Sequence, residues 1–190
     1  MFSNRIDRRR FLSSVLAGGA ALSLPSLARA KSNFNPAPRE VRIKPGNEPG
    51  QVLIVPQAHY LYLITEERKA IRYGVGIGKA GLAFAGTAVI EVKKEWPTWR
   101  PTAEMIEREP ESYTQFINNT YTMPGGPTNP LGARALYLFR NGADTFFRIH
   151  GTNERRTIGL STSAGCIRMM NEHVIDLYQR VPLGTVVTVL

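Results

Sequence analysis

From residue 51 onward, the apolar residues of this sequence fall in short runs that end at proline, glycine or charged residues. The run Val52–Val55 stops at Pro56, and the hydrophobic residues that follow it are grouped in the same way. Runs of four to six apolar residues between turn-forming residues indicate strands. The other predicted strands are 60–64, 72–77, 87–92, 135–139, 145–149 and 185–190. Asn141-Gly142, between two of them, predicts a tight hairpin turn.

Only two segments have the pattern of a helix. The first is residues 101–108, where Thr102 could cap a helix and Pro110 would end it. Residues 171–180 place apolar side chains on one face, with Asn171 as the expected N-cap. A chain of 190 residues can bury one ordinary core. The sequence therefore predicts one mainly β domain with two short helices.

The first 30 residues have the pattern of an export signal. Five Arg and one Asp precede or surround a moderately apolar stretch, which ends in Ala28-Arg29-Ala30, a small-x-small cleavage pattern. Asp7-Arg8-Arg9-Arg10-Phe11-Leu12 resembles the twin-arginine motif. We expect a twin-arginine-type signal peptide at 1–30, an extended lead-in at 31–50 and export to the periplasm. A disordered basic tail is the alternative.

The net charge of +9 at first suggests a nucleic-acid partner. Removal of residues 1–30 lowers it to +5, however, and the remaining charges are scattered, which argues against a nucleic-acid arm. A mildly basic surface suits an anionic wall polymer equally well. No run of about 20 apolar residues occurs, so no stable membrane span is expected.

Cys166 is the only cysteine, and His150 stands sixteen residues before it at the end of a predicted strand. A nearby imidazole can act as the base for a thiol nucleophile, and N–H groups around Gly165 and Cys166 can stabilise an oxyanion. Single Cys and His residues are also common as buried structural groups. The spacing alone leaves both interpretations open. Three scattered His and one Cys make a zinc site improbable.

A longer ordered set of motifs resembles the L,D-transpeptidase catalytic domain (YkuD-type) family. The set is His150-Gly151-Thr152-Asn153, Ile158-Gly159 and Ser163-x-Gly165-Cys166-Ile167-Arg168-Met169, and the resemblance covers about 51–190. It implies a β-sandwich or barrel domain without a cofactor. By position it makes Cys166 the nucleophile, His150 its base and the Gly151 carbonyl the group that orients the imidazole.

The same resemblance assigns supporting roles around the nucleophile. Ser163 would support the loop, Gly165 would lie at the oxyanion site, and Arg168 would shape the site or face a substrate carboxylate. Ala164 stands where many family members have a second His, so no role for that imidazole is expected. His173, beside Glu172, is expected to be solvated, and His59 structural or exposed.

Two groups of residues could contact a substrate or be structural. Trp96, Trp99 and Tyr121 could line a groove for a sugar-peptide substrate, although such aromatics more often belong to the core. Met123, Gly125 and Gly126 could form a lip of the site or a structural turn.

The function that follows is a periplasmic peptidoglycan L,D-transpeptidase. It would transfer a stem tetrapeptide, through a thioester on Cys166, to an amine acceptor in another stem peptide or in a wall-anchored protein. The alternatives are an L,D-carboxypeptidase or another cysteine peptidase or amidase of the wall, and a non-catalytic peptidoglycan-binding module.

Overall fold

The computed structural model describes residues 34–190, and the predicted signal at 1–30 lies outside the described residues. The described chain is mainly β, as predicted. Its strands are β1 (Arg39–Arg42), β2 (Val52–Val55), β3 (Tyr60–Glu66), β4 (Lys69–Gly74), β5 (Ile77–Gly78), β6 (Gly86–Glu95), β7 (Arg134–Arg140), β8 (Ala143–His150), β9 (Ser161–Ser163), β10 (Ile167–Arg168) and β11 (Val186–Val189). The α-helices are α1 (Ala103–Arg108) and α2 (Asn171–Arg180), and short 3-10 turns lie at Pro56–Ala58, Pro110–Phe116 and Arg155–Thr157.

Nine strands form one mixed sheet in the order β1-β4-β3-β2-β11-β6-β7-β8-β10, and β5 pairs with β9. The last strand of the chain, β11, lies at the centre, parallel to β2 and antiparallel to β6. The predicted hairpin at Asn141-Gly142 joins β7 to β8, with both residues at positive φ as a tight two-residue turn requires.

The sheet curves back on itself at one point. Gly76 and Arg168 exchange backbone hydrogen bonds of 2.9 and 2.8 Å, which connect β10 to the segment after β4. Because this bridge occupies Gly76, the predicted strand 72–77 is divided between β4 and β5. A Cβ at Gly76 would lie 2.6 Å from the Thr157 carbonyl oxygen, so the approach requires glycine.

The core fills the space enclosed by this curved sheet. Side chains alternate along β2 and β3, and Ile54, Leu61, Ile90 and Leu138 are fully buried. Burial of this apolar surface is the main favourable contribution to folding. The apolar face of α2 covers one end of the core.

Both helices occur, but one predicted cap is wrong. Thr102 caps α1, its Oγ accepting the Met105 N–H at 3.3 Å. Asn171 does not cap α2: Met170 occupies the cap position without a side-chain bond, because the Asn171 side chain is engaged elsewhere. His173 is also buried rather than solvated, since α2 turns it toward the Tyr73 ring.

The segment expected to be an extended lead-in contributes to the sheet. Within it, β1 pairs antiparallel with β4 and forms an edge of the sheet. The Pro36 carbonyl also accepts the Gly74 N–H at 3.0 Å. Over residues 34–190, no helix is long and apolar enough to cross a membrane.

Candidate active site

His150 ends β8 between β7 on one side and β10 on the other, and only 4% of its surface is exposed. Its Nδ1–H donates to the Gly151 carbonyl oxygen at 2.5 Å. Because a carbonyl can only accept, this bond fixes the tautomer and leaves Nε2 as the free acceptor. Burial lowers the pKa of His150 to about 4, although the bond to Gly151 opposes the shift.

Asn171 supports the turn that follows the imidazole. Its Oδ1 accepts the N–H groups of Ala133 at 2.9 Å and Thr152 at 3.2 Å, and so joins two chain segments beside His150. A Cβ on Gly151 would collide with this oxygen, so the position requires glycine. The sequence does not reveal this role, since Asn before a helical segment equally suggests a cap.

Cys166 lies in the loop between β9 and β10 and is half-buried. Ser163 fixes this loop from within: its Oγ donates to the Cys166 carbonyl at 2.6 Å and accepts the Gly165 N–H at 3.2 Å. The Gly165 N–H is therefore occupied. Among residues 34–190, none accepts a hydrogen bond from the Cys166 N–H, which leaves this N–H available to an oxyanion.

Gly165 is required for the path of the loop. It has a φ of 136°, which L side chains rarely adopt, and a Cβ there would lie 2.7 Å from the Leu82 carbonyl oxygen. The neighbouring Ala164 is exposed. A small residue at each position lets a substrate approach the Cys166 backbone.

Burial favours the neutral forms of both the thiol and the imidazole. Burial raises the pKa of the Cys166 thiol, although the backbone N–H and the charge of Arg148 and the charge of Arg168 oppose this. The Cys166 Sγ lies 3.9 Å from the Phe146 carbonyl oxygen, a weak hydrogen bond for sulfur. Burial therefore disfavours a thiolate–imidazolium pair in the resting site.

Arg168 forms an ion pair with Glu154. Its Nη1 lies 2.9 Å from Glu154 Oε2 and 3.4 Å from Thr157 Oγ1, and 21% of the side chain is exposed. A substrate carboxylate would have to share this guanidinium with Glu154.

A cavity of about 1060 Å³ joins these groups. His150, Cys166, Ser163, Ala164 and Arg168 all lie in its wall. On the opposite side it is bounded by residues of the cover segment, which we define as residues 99–121 and which includes α1.

Some of the candidate substrate-contacting residues line this cavity and others do not. Trp99 lines it, whereas Trp96 and Tyr121 do not. The proline- and glycine-rich segment 123–132 contributes Pro130 and Leu131 to the wall. Met123, Gly125 and Gly126, which could have formed a lip or a structural turn, do not line the cavity, and Gly125 packs tightly against Trp96. Within the described residues, no group of three or more His, Cys, Asp or Glu could hold a metal ion.

The described domain is thus mainly β and has Cys166 and His150 in the wall of one cavity. The sequence model of the L,D-transpeptidase catalytic domain family (YkuD) matches residues 49–189. The chain belongs to this family.

Known proteins that resemble the chain include "Probable L,D-transpeptidase YbiS" of Escherichia coli (strain K12), 40% identical over 113 residues. That match covers 58% of this chain and 34% of the relative, so the chain spans about a third of the relative's length.

Two solved structures have the same fold. L,D-transpeptidase 3 from Mycobacterium tuberculosis has a TM-score of 0.55 at 12% identity, over 73% of this chain and 60% of that one, a likeness of fold alone. A Brucella melitensis protein described as a probable carnitine operon oxidoreductase is 52% identical, with a TM-score of 0.55 over 80% of this chain and 91% of that one. That description names another class of enzyme; the family assignment rests on the match at 49–189.

Proposed function

We propose that the protein is a peptidoglycan L,D-transpeptidase that uses Cys166 as its nucleophile. The observation that carries the proposal is the placement of Cys166 and His150 in the wall of one cavity, in a chain of this family. The donor is a stem tetrapeptide, cleaved at the L-to-D bond after its third residue. No cofactor takes part.

Acylation begins from the neutral pair. His150 Nε2 takes the thiol proton as Sγ attacks the donor carbonyl carbon, so the proton and the electron pair move together. The developing oxyanion accepts the Cys166 N–H, a type of contact typically worth a few kcal/mol in the transition state. His150 then protonates the departing D-alanine amine as the C–N bond breaks, and a thioester remains on Cys166.

Transfer reverses the proton movements. The acceptor amine attacks the thioester carbonyl, His150 removes its proton, and the sulfur leaves and is reprotonated. A diamino acid of another stem peptide gives a 3-3 cross-link, and a protein amine gives a wall-anchored protein. Water in the same position gives carboxypeptidase activity.

The test uses a carbapenem as an acylating mimic of the donor. The wild-type protein is expected to gain the mass of one carbapenem in intact-mass measurements, and Cys166→Ser to gain none. With muropeptides, the wild type is expected to release D-alanine and form a larger product. Full transfer activity in Cys166→Ala would contradict the mechanism, and binding to sacculi without any adduct would favour a binding module.

We further propose that the chain acts in the periplasm after export by the twin-arginine route. The motif at Arg8-Arg9-Arg10-Phe11-Leu12 supports this, as does a lone thiol that needs no oxidative folding outside the cytoplasm. Cell fractionation is expected to find the wild type in the periplasm and the Arg8→Lys, Arg9→Lys double variant in the cytoplasm. Equal export of both would contradict the twin-arginine assignment, and Arg156→Lys is the control.

A further inference from the structure

Strand β8 is irregular next to the nucleophile. Asp144 pairs with Phe139 of β7 and Arg148 pairs with Tyr137, so the three residues between them (145–147) lie opposite Leu138 alone. At this irregular part of the ladder, the Thr145 side chain rather than a backbone group bonds the neighbouring strand: its Oγ donates to the Leu138 carbonyl at 2.5 Å. Bulges of this kind bend a strand and re-aim its backbone, and they are common beside active sites.

Phe146, at the centre of the bulge, has a strained backbone. Its φ is 61°, a left-handed value that is unusual for a bulky residue and costs about 1–3 kcal/mol. Its ring is 69% exposed, so burial of the side chain does not offset this cost. Other contacts must hold the conformation.

Asp144 supplies those contacts. Its Oδ1 accepts the Phe146 N–H at 2.8 Å, across the strained residue. Its two oxygens also accept both terminal nitrogens of Arg148, at 2.7 and 2.8 Å. The Arg148 guanidinium in turn packs 4.0 Å from the centre of the Tyr137 ring. A bidentate pair of this type is directional, so Asp144 ties one end of the bulge to the other.

The bulge determines which backbone groups face the thiol. The Phe146 carbonyl oxygen lies 3.9 Å from Cys166 Sγ. The Arg148 backbone N–H favours the thiolate and so lowers the pKa of the Cys166 thiol. In a regular strand, successive carbonyls alternate in direction, and the two extra residues change which of them reach Cys166. The backbone groups that act on Sγ thus depend on the path of residues 145–147.

We propose that Asp144 is a positioning residue for the nucleophile, because it holds the β8 bulge that places the Phe146 carbonyl against Cys166 Sγ. This inference rests on the proposed role of Cys166. It adds a residue that never touches the substrate but sets the reactivity of the group that does.

The test measures the reactivity of the thiol itself. Cys166 is the only cysteine, so alkylation by iodoacetamide, followed by intact mass, reports this residue alone. Labelling rates are measured from pH 6 to pH 10 for wild type, Asp144→Ala and Asp144→Asn. Both variants lose the ion pair with Arg148, but Asn keeps an oxygen that can accept the Phe146 N–H.

The two variants are expected to differ. In Asp144→Ala the Arg148 N–H no longer stabilises the thiolate, so labelling at pH 7 falls about tenfold and the profile moves to higher pH. Asp144→Asn is expected to label at least as fast as wild type, because the charge of Asp144 raises the thiol pKa and its removal lowers it. Glu66→Ala, which removes a surface ion pair with Lys69, is the control and should not change the rate.

A rescue completes the design. Glycine adopts a φ of 61° freely, so adding Phe146→Gly to Asp144→Ala is expected to restore labelling. If Asp144→Ala does not fold, the double variant is compared with the wild type alone, and slower labelling than wild type would overturn the proposal. Equal labelling of the Ala and Asn variants, or no recovery in the double variant, would overturn the proposal. Alkylation needs no substrate, so this result is independent of the carbapenem and muropeptide tests.

Discussion

At the scale of single residues, the site depends on groups whose charge is suppressed. His150 is buried, and its Nδ1–H donates to a backbone carbonyl, which orients the imidazole as a carboxylate does in other sites. A carbonyl fixes the tautomer as a carboxylate does, but it stabilises an imidazolium less. The low pKa of His150 is the direct result of burial without a counter-charge.

This pKa predicts how stability depends on pH. The folded state keeps His150 neutral down to about pH 4, whereas the unfolded chain binds a proton near pH 6.5. The unfolded state therefore holds more protons between these values, and the free energy of unfolding should fall by about 3 kcal/mol as the pH drops from 7 to 4. Urea denaturation across this range measures the change.

Comparison with variants isolates the contribution of His150. His173 is also buried with a lowered pKa, so it adds a loss of the same sign. His150→Gln should have a shallower pH dependence than wild type, and His173→Gln measures the separate contribution of His173. An unchanged slope in His150→Gln would show that the imidazole is not held neutral in the folded protein.

At the scale of structural elements, the Arg100 side chain connects the two ends of the cover segment. The guanidinium of Arg100 donates to three carbonyls, those of Phe116 at 2.7 Å, Asn119 at 2.6 Å and Tyr121. The Trp99 ring meets the Phe116 ring edge-on, with centroids 5.2 Å apart. Because α1 has no buried residue, these contacts rather than α1 itself fix the wall of the cavity opposite the thiol.

Removal of the guanidinium should loosen this element alone. Arg100→Met keeps most of the apolar stem but leaves the three carbonyls without their donor, which should lower the local opening free energy by about 2 kcal/mol. Amide hydrogen exchange in residues 99–121 should accelerate roughly 30-fold, while β2 and β3 remain protected.

Arg156→Met is the matched control for this experiment. Arg156 is exposed, and its side chain makes no hydrogen bond with any residue of 34–190, so its loss should leave exchange unchanged. Uniform acceleration across the sheet in Arg100→Met would show that the cover segment and the core open together.

At the scale of the whole molecule, the fold brings distant segments together around β8 and β10. The bridge between Gly76 and Arg168 closes the sheet beside the nucleophile loop, and β5 pairs with β9 just before that loop. Cys166 is thus fixed on both sides by strand pairing, although the loop itself is short. This pairing on both sides restricts the path of the loop that carries Cys166.

The features that the sequence predicted well are those encoded locally. Strand-length apolar runs predict most of the sheet, Thr102 predicts the start of α1, and Asn141-Gly142 predicts the hairpin. Each depends only on residues a few positions apart. The same holds for the Ser163–Cys166 loop, whose Ser and Gly act on their immediate neighbours.

The rest was decided by contacts between segments far apart in the chain. The sequence did not show that β11 enters the centre of the sheet, since pairing with β2 and β6 depends on complementary faces rather than on β11 itself. It suggested a cap at Asn171 because the local pattern is the same whether the side chain bonds its own helix or Ala133 and Thr152. The bulge at Phe146 could not be predicted from the sequence either, because a strand register exists only once both strands are paired. The sequence by itself therefore determined the chemical groups and the local elements, and the tertiary structure decided how they face one another, since hydrogen-bond partners and burial are properties of the assembled fold.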